Sequence, residues 1–67
     1  MNFKLIFNNE KETKTLNNKN TSIKEILEDM NLSSETVVTK KNGDIVVEDE
    51  IINDGDEIQI IQIIYGG

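Results

Sequence analysis

The chain has 67 residues, with thirteen acidic side chains, seven lysines and a formal net charge of -6, and it contains neither cysteine nor histidine. A chain of this length makes one small domain, with no room for a deep catalytic cleft of its own. The missing residue types exclude disulfides, thiolate metal sites, iron-sulfur ligation and the commonest general base, so we expect a protein that is not an enzyme and that holds neither a metal nor a cofactor.

The acidic charge is concentrated in the second half of the chain. Residues 36–67 carry seven acids and two lysines, whereas residues 1–35 carry six acids and five lysines. Such a surface repels a phosphate backbone, which disfavours binding to nucleic acid. It either attracts a basic docking surface on a partner protein or is a solvated rim that only keeps the protein soluble. No apolar run approaches the ~20 residues of a membrane span, and the N-terminus does not resemble a secretory signal, so we expect a cytoplasmic protein.

The chain begins with a pattern that predicts a β hairpin. Asn8 and Asn9 tolerate the left-handed backbone angles of a tight turn, and residues 11–16 form the predicted returning strand. Leu16 is the only large apolar side chain of that strand, which indicates an edge position. The first strand alternates with a period of two, and its apolar residues on one face are Phe3, Leu5 and Phe7.

A short amphipathic helix follows a loop at residues 17–20. Ser22 and Glu25 have the spacing of a capping box, which predicts the start of the helix. Four apolar residues then recur at helical spacing and predict one face packed on the sheet: Ile23, Ile26, Leu27 and Met30.

A second hairpin is predicted after the helix. Residues 36–40 and 45–47 are rich in β-forming side chains, and the Asn-Gly pair at 42–43 is a strong hairpin signal. The apolar pair Ile51 and Ile52 is expected to pin the following loop to the core, ahead of a turn at residues 53–56.

The final predicted strand runs from Ile58 to Tyr65. Alternation places Ile58 and Ile60 towards the helix, and no second helix covers the opposite face, so that face is a candidate docking surface for a partner protein. The alternative is that neighbouring apolar residues, namely Val38, Val46 or Ile52, partly cover it. The candidate docking residues are Ile61, Ile63 and Tyr65.

Two glycines, Gly66 and Gly67, end the sequence. We expect residues 1–65 to form a single domain and residues 66–67 to form a flexible tail. A dipeptide without Cβ atoms can pass through a channel too narrow for other residues, so a partner enzyme could draw it into a buried active site. The alternative is a frayed terminus with no role.

The predicted order of hairpin, helix, hairpin and final strand defines an α+β protein with a ββαββ sequence of elements. The last strand is expected at the centre of a mixed sheet, parallel to the first strand, with the helix across one face. This order resembles the β-grasp fold of ubiquitin.

The C-terminal residues make the resemblance more specific. Asp54-Gly55-Asp56-Glu57-Ile58, a strand and then Gly66-Gly67 resemble the signature of the prokaryotic sulfur carriers of thiamine and molybdopterin synthesis, and of the small archaeal ubiquitin-like modifier proteins. Tyr65 departs from that pattern, because a smaller residue often precedes the glycines.

The resemblance implies chemistry that other proteins perform on this chain. An adenylyltransferase related to ubiquitin-activating enzymes would join AMP to the carboxylate of Gly67, using its own ATP and magnesium. A sulfur donor, such as a cysteine desulfurase or a persulfide protein, would then convert Gly67 to a thiocarboxylate, or a target lysine would be acylated to give an isopeptide bond. The sulfur would go to thiamine, molybdopterin or tRNA thiolation, and the sequence does not choose among them.

We expect a monomer. The alternative function is a non-catalytic β-grasp adaptor or regulatory module in which the two glycines are incidental.

Overall fold

The computed structural model describes residues 1–16 and 20–63, and in these ranges five strands form one mixed sheet covered by one α-helix. This architecture confirms the α+β, β-grasp expectation. The strands lie in the order β2-β1-β5-β3-β4, with β5 parallel to β1 and antiparallel to β3, so the last strand is central as predicted. The elements are β1 (Asn2–Phe7), β2 (Glu10–Thr15), α1 (Ile23–Asp29), a 3-10 helix (Ser34–Thr36), β3 (Val37–Lys41), β4 (Asp44–Val46) and β5 (Glu57–Gln62).

Both predicted hairpins are present, with boundaries that differ by one residue from the sequence prediction. Asn8 and Asn9 have φ angles of 52° and 65°, and Asn42 and Gly43 have 52° and 90°, as two-residue hairpin turns require. A two-residue turn makes the residues on either side of it direct cross-strand partners. Glu10 therefore pairs with Phe7 although it is polar, and β2 begins there and not at residue 11. Of the loop predicted at 17–20, residues 17–19 lie outside the described residues.

Both ends of α1 are capped by side chains or turns that the sequence provides. The Ser22 hydroxyl accepts a hydrogen bond from the Glu25 backbone N–H at 3.4 Å, and the Glu25 carboxylate accepts one from the Ser22 N–H at 3.0 Å, which confirms the capping box. At the other end Asn31 adopts a φ of 58°, and the N–H of Leu32 donates to the carbonyl of Leu27 at 2.8 Å. This arrangement satisfies carbonyls that the last helical turn leaves free.

The core lies between α1 and one face of the sheet. Ile23, Ile52 and Ile58 are completely buried, which confirms that Ile52 fixes the connection between β4 and β5 to the core. The prediction is wrong for Ile51, which is 37% exposed because successive side chains of this extended segment point to opposite sides. Ile26, Met30 and Leu32 pack against this core from its margin. The remaining buried apolar residues are Phe3, Leu5, Leu16, Leu27, Val37 and Ile60.

The opposite face of the sheet has no helix over it in the described part of the chain, and we call it the open face. Because side chains alternate along a strand, the residues between the buried positions point to this side. The strand pairings place twelve residues there: Asn2, Lys4, Ile6, Lys11, Thr13, Thr15, Val38, Lys40, Ile45, Glu57, Gln59 and Ile61.

Candidate functional site

The final strand stays in the sheet up to the last described residue. Pairing with β3 runs to Gln62, and beyond it the N–H of Ile63 donates to the carbonyl of Thr36 at 2.8 Å. Pairing with β1 ends earlier, at Ile60, so the end of β5 has a neighbouring strand on one side only. The chain thus remains hydrogen-bonded to its neighbour up to Ile63, four residues before Gly67 in the sequence. Tyr65, Gly66 and Gly67, three of the sequence-predicted site residues, lie outside the described residues.

Two of the three predicted docking residues are exposed on the open face as expected. Ile61 and Ile63 each retain 40% of their accessible surface, which is high for isoleucine in a central strand. Val38 lies directly opposite Ile61 in the neighbouring strand and contributes to the same apolar surface. Val46 and Ile52, the other two residues considered as cover, pack on the core side, so that alternative is wrong for them.

The apolar surface extends further than the sequence interpretation proposed. Ile6 is half-buried on the open face of β1, and Ile45 is 72% exposed on the same face of the edge strand β4. The period-two alternation used for β1 already implied this orientation for Ile6. The position of Ile45 depends on the turn at Asn42 and Gly43, which sets the register of β4.

Among the shallow depressions of the described surface, two lie beside the central strand and the β4 edge, and neither of these two has the chemistry of an active site. One, of about 280 Å³, lies where β1 ends beside β5 and is bordered by four amide side chains, those of Asn8, Asn9, Gln59 and Gln62, with Ile6, Ile60 and Ile61. The other, of about 520 Å³, lies between α1 and the β4 edge. Its lining includes Ser34, which no histidine can activate because the chain contains none.

The segment Asp54-Gly55-Asp56-Glu57, part of the signature that resembles the sulfur carriers, stabilises the fold through hydrogen bonds. The Asp54 carboxylate accepts a hydrogen bond from the backbone N–H of Asn2 at 2.7 Å, and the N–H of Gly55 donates to the carbonyl of Asn2 at 2.7 Å. Gly55 has a φ of 84°, a conformation that glycine adopts at little cost. These contacts place the start of β5 beside the start of β1 and so set the parallel pairing.

Asp56, itself buried, is the centre of a partly buried polar cluster that joins this segment to the β3–β4 hairpin. Its carboxylate accepts hydrogen bonds from the backbone N–H of Asn53 at 2.7 Å and from the side-chain amide of Asn42 at 3.0 Å. The Lys41 ammonium lies 3.5 Å from Asp56, forms a salt bridge with Glu50 at 3.1 Å, and donates to the carbonyl of Ile51 at 2.8 Å. The same Asn42 side chain accepts from the N–H of Glu57 at 2.9 Å.

The electrostatics of this cluster favour the charged form of both partners. Burial by itself would raise the pKa of Asp56, but the hydrogen bonds from Asn53 and Asn42 and the charge of Lys41 outweigh it and lower the pKa below its usual range. Burial likewise would lower the pKa of Lys41, but Glu50 and Asp56 outweigh it and raise that pKa. Both charged forms are thereby stabilised, and the hydrogen bonds of the cluster hold the β3–β4 hairpin to the start of β5.

Neither a membrane helix nor a metal-binding cluster is found in the part of the chain that the structure describes. No helix there is long and apolar enough to cross a membrane. No group of three or more acidic side chains there is arranged to hold a metal ion.

A five-stranded β-grasp sheet with a central last strand that leads to Gly66-Gly67 defines a ubiquitin-like protein of the sulfur-carrier class. The chain belongs to the ThiS family, whose model matches residues 5–67, Gly67 included. Members of this family in general work with an adenylyltransferase and a sulfur donor.

Solved structures agree with this fold. The thiamine biosynthesis protein ThiS from Geobacter metallireducens superposes with a TM-score of 0.65 at 19% identity, over 96% of this chain and 99% of its own. A ubiquitin-like protein from the hyperthermophilic archaeon Caldiarchaeum subterraneum superposes with a TM-score of 0.67 at 15% identity, over 98% of this chain and 100% of its own. At these identities the two structures support the fold, and the family assignment depends on the family match.

Proposed function

We propose that this chain carries sulfur as a thiocarboxylate on Gly67 and is itself the substrate of its partner enzymes. The observation that supports the proposal most strongly is the ThiS-family match, which extends through both glycines. The geometry is consistent with it, because the chain stays hydrogen-bonded along the central strand and up to Ile63, four residues before Gly67 in the sequence. The chain lacks histidine and cysteine, so the catalytic groups come from the partners.

The proposed chemistry begins with an unreactive carboxylate. A C-terminal carboxyl group has a reference pKa of about 3.5, so it is ionised at neutral pH and is a poor electrophile. An oxygen of this carboxylate attacks the α-phosphorus of ATP in the adenylyltransferase, which releases pyrophosphate and leaves an acyl-adenylate on Gly67. The terminal sulfur of a donor persulfide then displaces AMP. This step joins Gly67 to the donor through an S–S bond. A second thiol then attacks the donor sulfur of that bond, forms a disulfide with the donor and releases the thiocarboxylate on Gly67.

The same acyl-adenylate is open to attack by a lysine amine, which releases AMP and forms an isopeptide bond. We therefore propose protein modification as a second use of the same terminus. Lys41 is a poor acceptor within this chain, because its side chain is 14% exposed and its ammonium is held by Glu50 and by the carbonyl of Ile51.

Intact-mass measurement tests the carrier function directly. The protein is incubated with ATP, a sulfide or persulfide source and the adenylyltransferase of the same organism, and a gain equal to the replacement of one oxygen by sulfur is expected. Deletion of Gly67 should abolish the gain while leaving the thermal melt nearly unchanged. An unmodified wild-type mass, with an enzyme shown to be active on another carrier, would contradict the proposal and favour the adaptor.

Two further controls separate the remaining functions. A peptide tag fused after Gly67 should block activation, whereas an adaptor would keep binding its partner with the tag in place. Lysine-linked Gly-Gly remnants in a chymotryptic digest of cell extract, produced by cleavage after Tyr65, would establish modification. Their absence beside a thiocarboxylate would restrict the function to sulfur delivery.

A further inference from the structure

The turn between β3 and β4 contains the one Asn-Gly pair of the sequence, Asn42-Gly43. An asparagine followed by glycine is chemically the least stable, because no Cβ hinders the glycine nitrogen from approaching the side-chain amide. Gly43 has a φ of 90°, and no atom lies within 4 Å of the position that a Cβ would occupy. No backbone hydrogen bond from the Gly43 N–H is found among the described residues, so this nitrogen is not engaged in the turn.

Deamidation at this pair requires only water and no catalyst. The Gly43 backbone nitrogen forms a bond to the side-chain carbonyl carbon of Asn42, and the bond from that carbon to the amide nitrogen breaks. The leaving nitrogen keeps the electron pair, takes up the proton that Gly43 loses and departs as ammonia, which leaves a five-membered succinimide ring. Water then opens the ring at one of its two carbonyl groups. The product is aspartate or isoaspartate, in which the backbone runs through the former side chain.

The fold restrains both polar atoms of the Asn42 side chain. Its Oδ1 accepts a hydrogen bond from the backbone N–H of Glu57 at 2.9 Å, and its Nδ2 donates to the Asp56 carboxylate at 3.0 Å. Ring closure moves the side-chain carbonyl carbon onto the Gly43 nitrogen and expels Nδ2, so both hydrogen bonds have to break. The bond to Asp56 is the stronger of the two because its acceptor is charged. Local release of this side chain therefore sets the rate in the folded protein.

The product cannot restore these contacts. A carboxylate at position 42 still accepts from the N–H of Glu57, but it has no donor for Asp56. It also brings a second negative charge to a place where the amide lay 3.0 Å from the Asp56 carboxylate. Isoaspartate in addition lengthens the backbone by one methylene group, in a two-residue turn that sets the pairing of Lys41 with Asp44.

We propose that Asn42 is a site of spontaneous deamidation, that its hydrogen bonds to Asp56 and Glu57 slow the reaction in the folded protein, and that the product releases the β3–β4 hairpin from the start of β5. A molecule that has reacted cannot return to the original contacts, so this site limits the lifetime of the folded domain. The inference concerns the stability of the chain and does not depend on sulfur carriage.

The first test compares the rate at Asn42 in folded and unfolded protein. The full chain is incubated at mildly alkaline pH with and without guanidinium chloride. Ion exchange detects the added negative charge, and peptide mapping locates the mass gain that accompanies replacement of NH₂ by OH. We expect the folded protein to react about 100-fold more slowly, about 10-fold for each hydrogen bond that must break. Equal rates in the two states would overturn the inference.

Asn8 is an internal reference in the same digests. It occupies the same position in the other hairpin turn, with the same φ of 52°, but Asn9 follows it and its side chain hinders ring closure. In guanidinium chloride Asn8 should therefore react more slowly than Asn42. Modification that maps to other asparagines while Asn42 stays intact would refute the assignment.

A matched pair of variants distinguishes local release from global unfolding. Asp56→Ala removes the charged acceptor of the Asn42 amide. Leu27→Ala opens a cavity in the core, at a residue whose backbone hydrogen bonds lie within α1 and its C-terminal turn. At a temperature where both variants are mostly folded, Asp56→Ala should react about 10-fold faster than wild type and Leu27→Ala within about 2-fold of it. Equal acceleration would show that only global unfolding exposes the site. If Asp56→Ala does not fold, Asp56→Asn replaces it, with an acceleration of about 3-fold expected from the weaker neutral acceptor.

The effect of the product is measured with Asn42→Asp, and Asn8→Asp is its control. Both variants add one negative charge at a turn position with a φ of 52°. Asn42→Asp should lower the midpoint of urea unfolding by about 1 M or more, whereas Asn8→Asp should stay within about 0.5 M of wild type. Equal midpoints would mean that an aspartate at position 42 leaves the hairpin attached to β5, which would contradict the proposed consequence of the reaction.

Discussion

Replacing Asp56 by asparagine tests whether the polar cluster clamps the fold. The variant keeps the size of the side chain but turns one acceptor oxygen into an NH₂ group, which must then face the N–H of Asn53 or the amide of Asn42. It also removes a charge next to Lys41. A hydrogen bond to a charged group contributes about 1.5–3 kcal/mol, and Asp56 is 8% exposed, so we expect a loss of about 2 kcal/mol at pH 7. For a domain of this size that corresponds to a fall in Tm of about 10–15 °C.

The pH dependence of this loss has a defined sign. Because the folded protein lowers the pKa of Asp56, the carboxylate stabilises the fold above its unfolded value of about 3.9, and that contribution disappears as the pH falls through the lower folded value. The difference in stability between wild type and Asp56→Asn should therefore be constant from pH 7 to about pH 5 and shrink below about pH 4.

Urea unfolding followed by circular dichroism at several pH values measures both effects. Asp49→Asn is the matched control, because it removes the same charge from an exposed turn and should change the free energy of unfolding by about 0.5 kcal/mol or less. The reasoning is refuted if the two variants unfold at the same urea concentration at pH 7. It is also refuted if the difference between wild type and Asp56→Asn persists undiminished at pH 3.

Three further substitutions probe the elements that hold the sheet and helix together. Leu27→Ala, at a position that is 2% exposed, should destabilise the domain by about 3 kcal/mol in urea unfolding, and a loss below 1 kcal/mol would mean that α1 is loosely packed. Ser22→Ala removes the capping hydroxyl and should cost about 1 kcal/mol in the same assay; an unchanged midpoint would show that the cap is dispensable. Gly55→Ala meets no atom within 4 Å but forces alanine to a φ near 84°, so a loss of about 1–2 kcal/mol is expected from thermal melts, with Gly55→Asn less affected. Equal melts for the two Gly55 variants would rule out backbone conformation as the cause.

Local signals were sufficient to predict the elements of the fold. The Ser22 and Glu25 pair located the helix start, and the asparagines at the two turns located both hairpins. Each of these signals involves residues no more than four positions apart, so it can be recognised from the sequence alone. The central position of β5 was predicted from its nearly continuous apolar residues, although only one face of that strand is covered by the helix and Ile61 on the other face is 40% exposed.

Contacts between distant segments could not be predicted in the same way. Asn42 was interpreted as a turn residue only, yet its side chain also bonds Asp56 and the backbone of Glu57, fourteen and fifteen residues away. Lys41 meets its partners only because Lys41 pairs with Ile58 in the sheet. Such encounters depend on strand register, which is set by the whole fold. That Lys4, Lys11 and Lys40 lie on the open face was missed for the same reason, since a count along the chain does not distinguish the two sides of a strand.

The C-terminal signature contains residues that stabilise the fold and a residue that is proposed to carry the sulfur, and the two groups can be tested separately. Asp54, Gly55 and Asp56 hold β5 in register, so changes there should reduce thiocarboxylate formation only as far as they reduce the folded fraction. Changes at Gly67 should abolish it in a protein that remains folded. At a temperature well below its melt, Asp56→Asn should thus be modified almost as fully as wild type, because a loss of about 2 kcal/mol leaves a domain of ordinary stability mostly folded. A folded Asp56→Asn variant that is not modified would show that this segment also contacts the partner enzyme, and the division between fold and chemistry would then be wrong.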